Sequence, residues 1–211
     1  MRKLENSRNM INEILEGIPS FSEELGLDLK KPEDRFKWFI ASILFAKPIS
    51  FKIASKTFGL FLIHGLTSPE KILDAGWDRL VELLDAGGYV RYDFSTASNI
   101  LETVKALKEK YGSLEKLHNE AKSSKDLERK LMEFKGVGKT AVNIFLRELR
   151  GIWEKAKPKP SKIALSMAEK LRVDAEKYES KLVRIYLEYC KKKRCEVCPV
   201  VDYCFHSILG R

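Results

Sequence analysis

Four cysteines near the end of the chain are spaced as a set of metal ligands would be. The segment C-KKKR-C-EV-C-PVVDY-C places four thiols within fifteen residues, at Cys190, Cys195, Cys198 and Cys204. Thiols separated only by short loops can converge on one metal centre. All-cysteine zinc sites usually contain two CxxC pairs, and this segment contains one. The compact, uneven spacing favours a [4Fe–4S] cluster over zinc or purely structural cysteines.

A glycine-rich turn, FKGVGKTAVN at 134–143, is the second motif with chemical potential. Its GKT ending is found in nucleotide-binding P-loops, which also need a preceding strand and a glycine five positions before the glycine of GK. That position is Glu133, and the residues before it, SSKDLERKLMEF, have a helical pattern. Both spacing and context therefore exclude a P-loop.

The same turn fits a hairpin between two helices. One helix is expected to end near Phe134, and the next to begin at Lys139 or Thr140. Between them, backbone N–H groups of Gly136, Val137 and Gly138 and the next helix N-terminus would form an anion site suited to a DNA phosphate.

The residues around the hairpin help to decide whether it contacts DNA or is an ordinary corner between two helices. Lys135 and Lys139 flank the turn and would add charge-assisted contacts, while Val137 would point inward. A helix corner with a glycine C-cap is the alternative. The basic flanks and the GxG spacing favour DNA.

Composition agrees with a polyanionic partner. The 211 residues include 39 Lys and Arg against 30 Asp and Glu, a net charge of +9. Basic groups near phosphates release condensed counterions, although a solvated lysine-rich surface has the same composition. Charges interrupt the N-terminal apolar pattern, so a secretory signal is not expected, and no apolar run reaches the length of a membrane span. We therefore expect a cytoplasmic, nucleoid-associated protein with reduced thiols.

Helical periodicity runs through the chain, with short breaks such as GLTSPE at 65–70, AGG at 86–88 and KPKPS at 157–161. Apolar residues share one helical face in four clear runs. No stretch shows β-alternation, so we predict an all-α fold of about ten short helices. The four runs include Phe36, Phe39, Ile40, Ile43 and Leu44; Ile100, Leu101, Val104 and Leu107; Ile163, Ala164, Met167, Ala168 and Leu171; and Leu182, Ile185, Tyr186 and Tyr189.

Together these features resemble endonuclease III, a member of the helix-hairpin-helix-GPD superfamily of base-excision DNA glycosylases. The segment at 36–50 is similar to the helix that leads into the family's DNA-probing loop, and 84–107 is similar to a segment that continues as a long helix. The resemblance implies two lobes: a six-helix lobe at 33–149 ending in the hairpin, and a second lobe formed by 1–32 with 150–211 that carries the [4Fe–4S] loop.

The resemblance also implies a partner and further contacts. A monomer would bind double-stranded DNA and flip a damaged base out of the stack. From this chain's own residues, a bound cluster would also hold a basic loop able to contact phosphate. In the family, a glutamine of the probing loop fills the gap in the stack. At that last position this chain has Lys47. The basic loop consists of Lys191, Lys192, Lys193 and Arg194.

Two positions depart from the family's chemistry. Bifunctional members have a Schiff-base lysine two residues after the second hairpin glycine, and an ungapped count puts Thr140 there, which cannot form one. Deleting one hairpin residue would instead make Lys139 the nucleophile. We favour the ungapped count, in which Lys139 contacts phosphate. The family's aspartate at the start of the following helix corresponds to Ser161.

If glycosylase chemistry is retained, either another acid must serve or the leaving base must be good enough to depart without one. Asp93 is our candidate acid, ahead of Glu148 and Glu154. It belongs to a polar-aromatic group that could line a base pocket: Tyr89, Arg91, Tyr92 and Asp93. In the alternative, the tyrosines pack between the two lobes and Arg91 forms a local ion pair with Asp93.

The sequence therefore predicts a monofunctional DNA N-glycosylase, with an alkylated purine as one candidate base because its glycosidic bond is already weakened. A non-catalytic damage-binding protein and a bifunctional glycosylase/lyase using Lys139 are the alternatives.

Overall fold

The protein is all-α, as predicted. A computed structural model describes residues 2–204, with side chains from residue 9 onward, and contains helices but no strand within that range. None of the helices described there is both long enough and apolar enough to cross a membrane.

The chain divides into two compact units, and one of them is built from both chain ends. The first unit comprises Met1–Glu24 and Lys159–Arg211, and the second comprises Leu25–Pro158. The corresponding boundaries expected from the resemblance lie at 32/33 and 149/150. Met1 and residues 205–211 lie outside the described residues.

Seven helices of the described chain lie in the second unit. Four of these helices begin at a serine N-cap. The side chains of the serines at positions 50, 68, 113 and 123 each accept a hydrogen bond from the backbone N–H three residues later. The helices are α3 (Pro32–Phe45), α4 (Phe51–Ile63), α5 (Pro69–Gly87), α6 (Asp93–Lys110), α7 (Leu114–Glu120), α8 (Ser124–Met132) and α9 (Lys139–Arg147).

Helix α3 lies at the centre of the second unit's core. Trp38 is fully buried and donates from Nε1 to the Phe145 carbonyl at 3.2 Å. The Phe39 ring meets Phe134 and Phe145 edge to face, with centroid separations of 6.1 and 5.1 Å. Such pairs add directional preference to apolar burial. Helix α3 therefore fixes both Phe134, before the hairpin turn, and α9, after it.

Helices α4 and α5 approach closely at a glycine. A Cβ added to Gly87 would lie 2.0 Å from Thr57 Oγ1 and 2.8 Å from the Thr57 Cα, so no larger side chain fits. The next residue, Gly88, has a φ of 95° and ends α5 in the left-handed conformation, which glycine adopts without steric cost. This turn sets the position of residues 89–93, where α6 begins.

The first unit joins the two ends of the chain in one apolar core. Helix α1 (Arg2–Gly17) packs with residues of α10 (Lys162–Leu171) and α11 (Glu179–Ile185), and α2 (Phe21–Glu24) follows α1. A π-helical turn, Tyr186–Cys190, continues α11, and short 3-10 turns follow at Cys195–Val197 and Val201–Tyr203. The core consists of Ile11, Leu15, Met167, Ala168, Leu171, Tyr178, Leu182, Ile185, Cys198 and Val200.

Candidate DNA-binding and catalytic residues

The glycine turn at 136–138 connects two helices, α8 and α9, as the motif predicts. Gly136 has a φ of 77°, and a Cβ there would lie 2.6 Å from the Asn99 side chain. Val137 points inward with 3% exposure, and its N–H donates to the Phe134 carbonyl at 3.1 Å. Position 136 therefore requires glycine, because its φ is positive and a side chain there would overlap Asn99.

The start of α9 is open. Gly138 is its N-cap residue and has no side chain to cap the helix, and a Cβ at this position would meet nothing within 4 Å. Lys139 and Thr140 follow, and both are exposed. Unsatisfied N–H groups and the helix dipole at such a terminus attract anions. The geometry suits a phosphate at the front of α9.

Lys135 is tied to α6 by both its backbone and its side chain. Its carbonyl accepts from Thr103 Oγ1 at 2.9 Å, and its ammonium lies 2.6 Å from Glu102 Oε1. The ion-pair side chains are 59% and 52% exposed. Exposed pairs contribute little to stability, so a phosphate can compete with Glu102 for the Lys135 ammonium.

Two cations converge on the Tyr92 ring. Lys47, in the loop between α3 and α4, places its ammonium 6.0 Å from the ring centroid, and the Arg91 guanidinium carbon lies 5.7 Å from it. Tyr92 is half-buried and Arg91 is exposed. Two loops of the second unit thus form one basic-aromatic group. Such a group can bind a phosphate and present an aromatic ring beside it.

Tyr89 is buried and packs against the Tyr92 ring of this group. It is 1% exposed, its hydroxyl donates to the Leu44 carbonyl, and its ring meets Tyr92 edge to face at 6.4 Å. Burial, with a smaller contribution from Tyr92, raises the pKa of Tyr89 well above its usual range. The structure therefore places Tyr89 in the core. The part of the predicted base pocket that reaches the surface comprises the exposed Arg91 and the half-buried Tyr92 and Asp93.

Asp93 is the first residue of α6 and is half-buried. Its Oδ1 accepts from the Phe94 N–H at 2.7 Å. Within residues 9–204 no ion pair joins Arg91 to Asp93, so the structure contains the buried Tyr89 of the alternative interpretation but not its ion pair. The second oxygen of the Asp93 carboxylate can accept another hydrogen bond.

Ser161 is the N-cap of α10, as predicted, and it contacts a carboxylate that sequence reasoning missed. Its Oγ accepts from the Ala164 N–H at 3.3 Å, while its own N–H donates to Glu179 Oε1 at 2.8 Å. Glu179 is 1% exposed. In the sequence it is one of many glutamates, eighteen residues beyond Ser161, and no spacing rule marks it.

The cysteines lie on the turns that follow α11. Cys190 ends the π-helical turn and Cys195 begins the first 3-10 turn, and all four residues are reduced thiols. Cys198 is buried, Cys190 and Cys204 are half-buried, and Cys195 is exposed. Burial raises the pKa of both Cys190 and Cys198, and the charges of neighbouring cysteines raise it further.

Four cysteine thiols are the donor type of a thiolate-ligated centre. Their arrangement is not that of a formed site: among the described residues, no three His, Cys, Asp or Glu side chains are placed to hold a metal ion. The cluster stays a prediction. The basic residues of the intervening loop are exposed: Lys191, Lys192, Lys193 and Arg194.

The described chain is all-helical, and a glycine turn joins α8 to α9. Comparison with characterised sequences adds a relative. The chain is similar to a Methanocaldococcus jannaschii protein named "Putative DNA repair glycosylase", with 27% identity over 194 residues that cover 82% of this chain and 86% of the relative. No family model matches the chain.

Proposed function

We propose that this protein is a DNA repair glycosylase. The observation that carries the proposal is its similarity, along 82% of the chain, to a protein that is named for this activity. The open N-terminus of α9 after Gly138 supports it, because it offers a site for DNA phosphate. The basic-aromatic group at Tyr92 supports it as well, since bases stack on aromatic rings.

The proposed reaction is hydrolysis of an N-glycosidic bond without subsequent strand cleavage. The second residue after Gly138 is Thr140, whose hydroxyl cannot form a Schiff base. Lys139 precedes it, and successive residues of a helix point about 100° apart around the axis. In this assignment Lys139 contacts phosphate. If Lys139 instead faces the sugar, the protein is a bifunctional glycosylase/lyase.

Arg91, Tyr92 and Asp93 form the proposed base site, with Lys47 beside it. Tyr92 offers a ring for stacking, worth about 1–3 kcal/mol per base. Asp93 offers a carboxylate that can orient or activate water. An N-alkylated purine combines a positive charge with a weakened glycosidic bond, so it is the first lesion to test.

The deciding experiment uses end-labelled duplexes that each carry one damaged base. Each reaction is divided into untreated, hot-alkali and borohydride-treated portions. We expect strand cleavage only after alkali, because the enzyme would leave an intact abasic site. Direct cleavage with a trapped covalent adduct, lost in Lys139→Ala, would show a lyase instead.

A second candidate is a protein that binds damaged DNA without excising the base. It is favoured by Ser161, since this residue has a hydroxyl where the resemblance implies an aspartate. Tight binding to one lesion duplex, without product from any lesion, would support this candidate and contradict the glycosylase.

The proposed cofactor is a [4Fe–4S] cluster ligated by Cys190, Cys195, Cys198 and Cys204. When bound, it would hold the loop at 191–194 in one conformation, so that the loop's basic residues could contact phosphate. We expect anaerobically purified protein to be brown, with a broad absorbance band at about 400 nm. The Cys198→Ser variant should lose this band. A colourless protein that contains stoichiometric zinc would contradict this assignment.

A further inference from the structure

Two large aromatic side chains are exposed side by side on the second unit. Trp77 of α5 and Phe94 of α6 are 40% and 60% exposed, and their rings stack with centroids 5.5 Å apart and planes inclined by 28°. The other two tryptophans of the chain, Trp38 and Trp153, are buried. Single exposed apolar residues are common on protein surfaces, whereas a contiguous exposed pair of large rings is typical of an interaction site.

The Trp77 side chain is held in this exposed position. Its Nε1–H donates to Ser98 Oγ at 2.9 Å, and the Ser98 hydroxyl donates to the Phe94 carbonyl, also at 2.9 Å. The indole is therefore fixed both by its hydrogen bond and by the Phe94 ring. Side chains that are ordered before binding lose less conformational entropy when a partner arrives.

The backbone before Trp77 departs from helical geometry. Gly76 has a φ of 74° and a ψ of −179°, which interrupts α5 immediately before the indole. A Cβ at Gly76 would meet nothing within 4 Å, so the positive φ and not a lack of space calls for glycine. Backbone conformations of this kind are concentrated at functional sites. The interruption therefore points to the same surface as the exposed rings do.

The surroundings of the aromatic pair are acidic. Asp74 and Asp78 are exposed, and they lie three residues before Trp77 and one residue after it. Within residues 9–204, neither carboxylate forms an ion pair, and no cation lies over the ring of Trp77 or Phe94. Helix α5 contains five acidic and two basic residues, whereas the whole chain has a net charge of +9. This local charge disfavours a phosphate backbone and favours a cationic partner.

The cations of the neighbouring basic-aromatic group lie at a different ring. Lys47 and Arg91 are placed 6.0 and 5.7 Å from the centroid of Tyr92. Among aromatic side chains an indole binds cations most strongly, and carboxylates beside it attract the same charge. Trp77 and its flanking carboxylates therefore offer two kinds of contact to one arginine or lysine.

We propose that the Trp77–Phe94 pair, with Asp74 and Asp78, is a docking site for a basic segment of another protein, in which arginine or lysine residues alternate with apolar ones. Tryptophan and arginine are the residues that most often dominate the energy of protein interfaces. The proposal does not depend on base excision, because it requires only the surface that α5 and α6 form in the second unit.

The test uses the full-length protein and a fluorescently labelled synthetic peptide in which arginine alternates with proline. The anisotropy of the label gives the Kd, and bound peptide should also change the fluorescence of the exposed Trp77. We expect Trp77→Ala to weaken binding about tenfold or more. Asp78→Asn should weaken it about threefold at low salt, and added salt should remove this difference.

Met132→Ala and Glu120→Gln are the matched controls. Met132 is 37% exposed on α8, and Glu120 is exposed at the end of α7, so these variants remove apolar surface and charge elsewhere on the same unit. Each should change the peptide affinity by less than about twofold.

Three results would overturn the proposal. The first is a wild-type protein that does not bind the peptide at low salt, and the second is equal affinity in wild type and Trp77→Ala. If Trp77→Ala melts at a lower temperature, Asp78→Asn decides in its place, because this exposed substitution leaves the aromatic pair intact. The third is quenching of Trp77 by a single-stranded thymidine oligonucleotide without a response to the peptide, which would assign the pair to nucleic acid.

Discussion

Replacement of Asp93 by Asn is expected to lower the base-excision rate about 100-fold or more, the lower end of what a general base contributes. The oxygen of asparagine can still accept from the Phe94 N–H, so the start of α6 should be preserved. Duplex affinity should change less than about threefold, because phosphate contacts dominate affinity. Single-turnover kinetics and fluorescence anisotropy measure the two quantities separately.

Asp85→Asn is a suitable control for this variant. Asp85 is exposed on α5 and its replacement makes the same change in net charge. It should leave both excision and binding unaltered. If Asp93→Asn turns over at the wild-type rate, the Asp93 carboxylate serves only the start of α6, and another group must activate water.

Replacement of Gly136 by Ala is expected to destabilise the protein by about 1–3 kcal/mol, because a side chain at positive φ is strained and the methyl group would overlap Asn99. The hairpin would shift, and duplex affinity should fall together with the melting temperature. Thermal unfolding and anisotropy on a short labelled duplex measure both effects.

Gly138→Ala makes the matched comparison, since its φ is −93° and its methyl group would meet no neighbour. We expect its stability to fall by less than about 1 kcal/mol, the cost of a poorer N-cap residue. Its duplex affinity should still fall, because the methyl group lies where a phosphate would approach α9. Wild-type affinity in this variant would show that phosphate binds elsewhere.

Local patterns account for what the sequence predicted correctly. Apolar periodicity identified the all-α class, a serine before an apolar run marked the start of α10, and the GVG spacing placed the turn with Val137 inward. Each of these depends on residues within a few positions of one another. Packing between distant segments has little influence on them.

Contacts between distant segments account for what the sequence did not predict. Tyr89 and Tyr92 are three residues apart and of the same type, yet only Tyr89 reaches the Leu44 carbonyl and is buried. Lys135 pairs with Glu102, thirty-three positions earlier, and Glu179 bonds to Ser161, eighteen positions earlier. Such partners follow from the packing of helices, which sequence spacing does not specify.

The shared core of the two chain ends has a consequence for synthesis on the ribosome. Helix α1 emerges well before the α10 and α11 residues that cover Ile11 and Leu15. Residues 25–158 can fold as a unit in between, since domains generally fold as units during translation. The apolar face of α1 therefore stays uncovered until α10 and α11 have been synthesised. A chain released after Pro158 would contain the hairpin unit and an N-terminal helix without its packing partners.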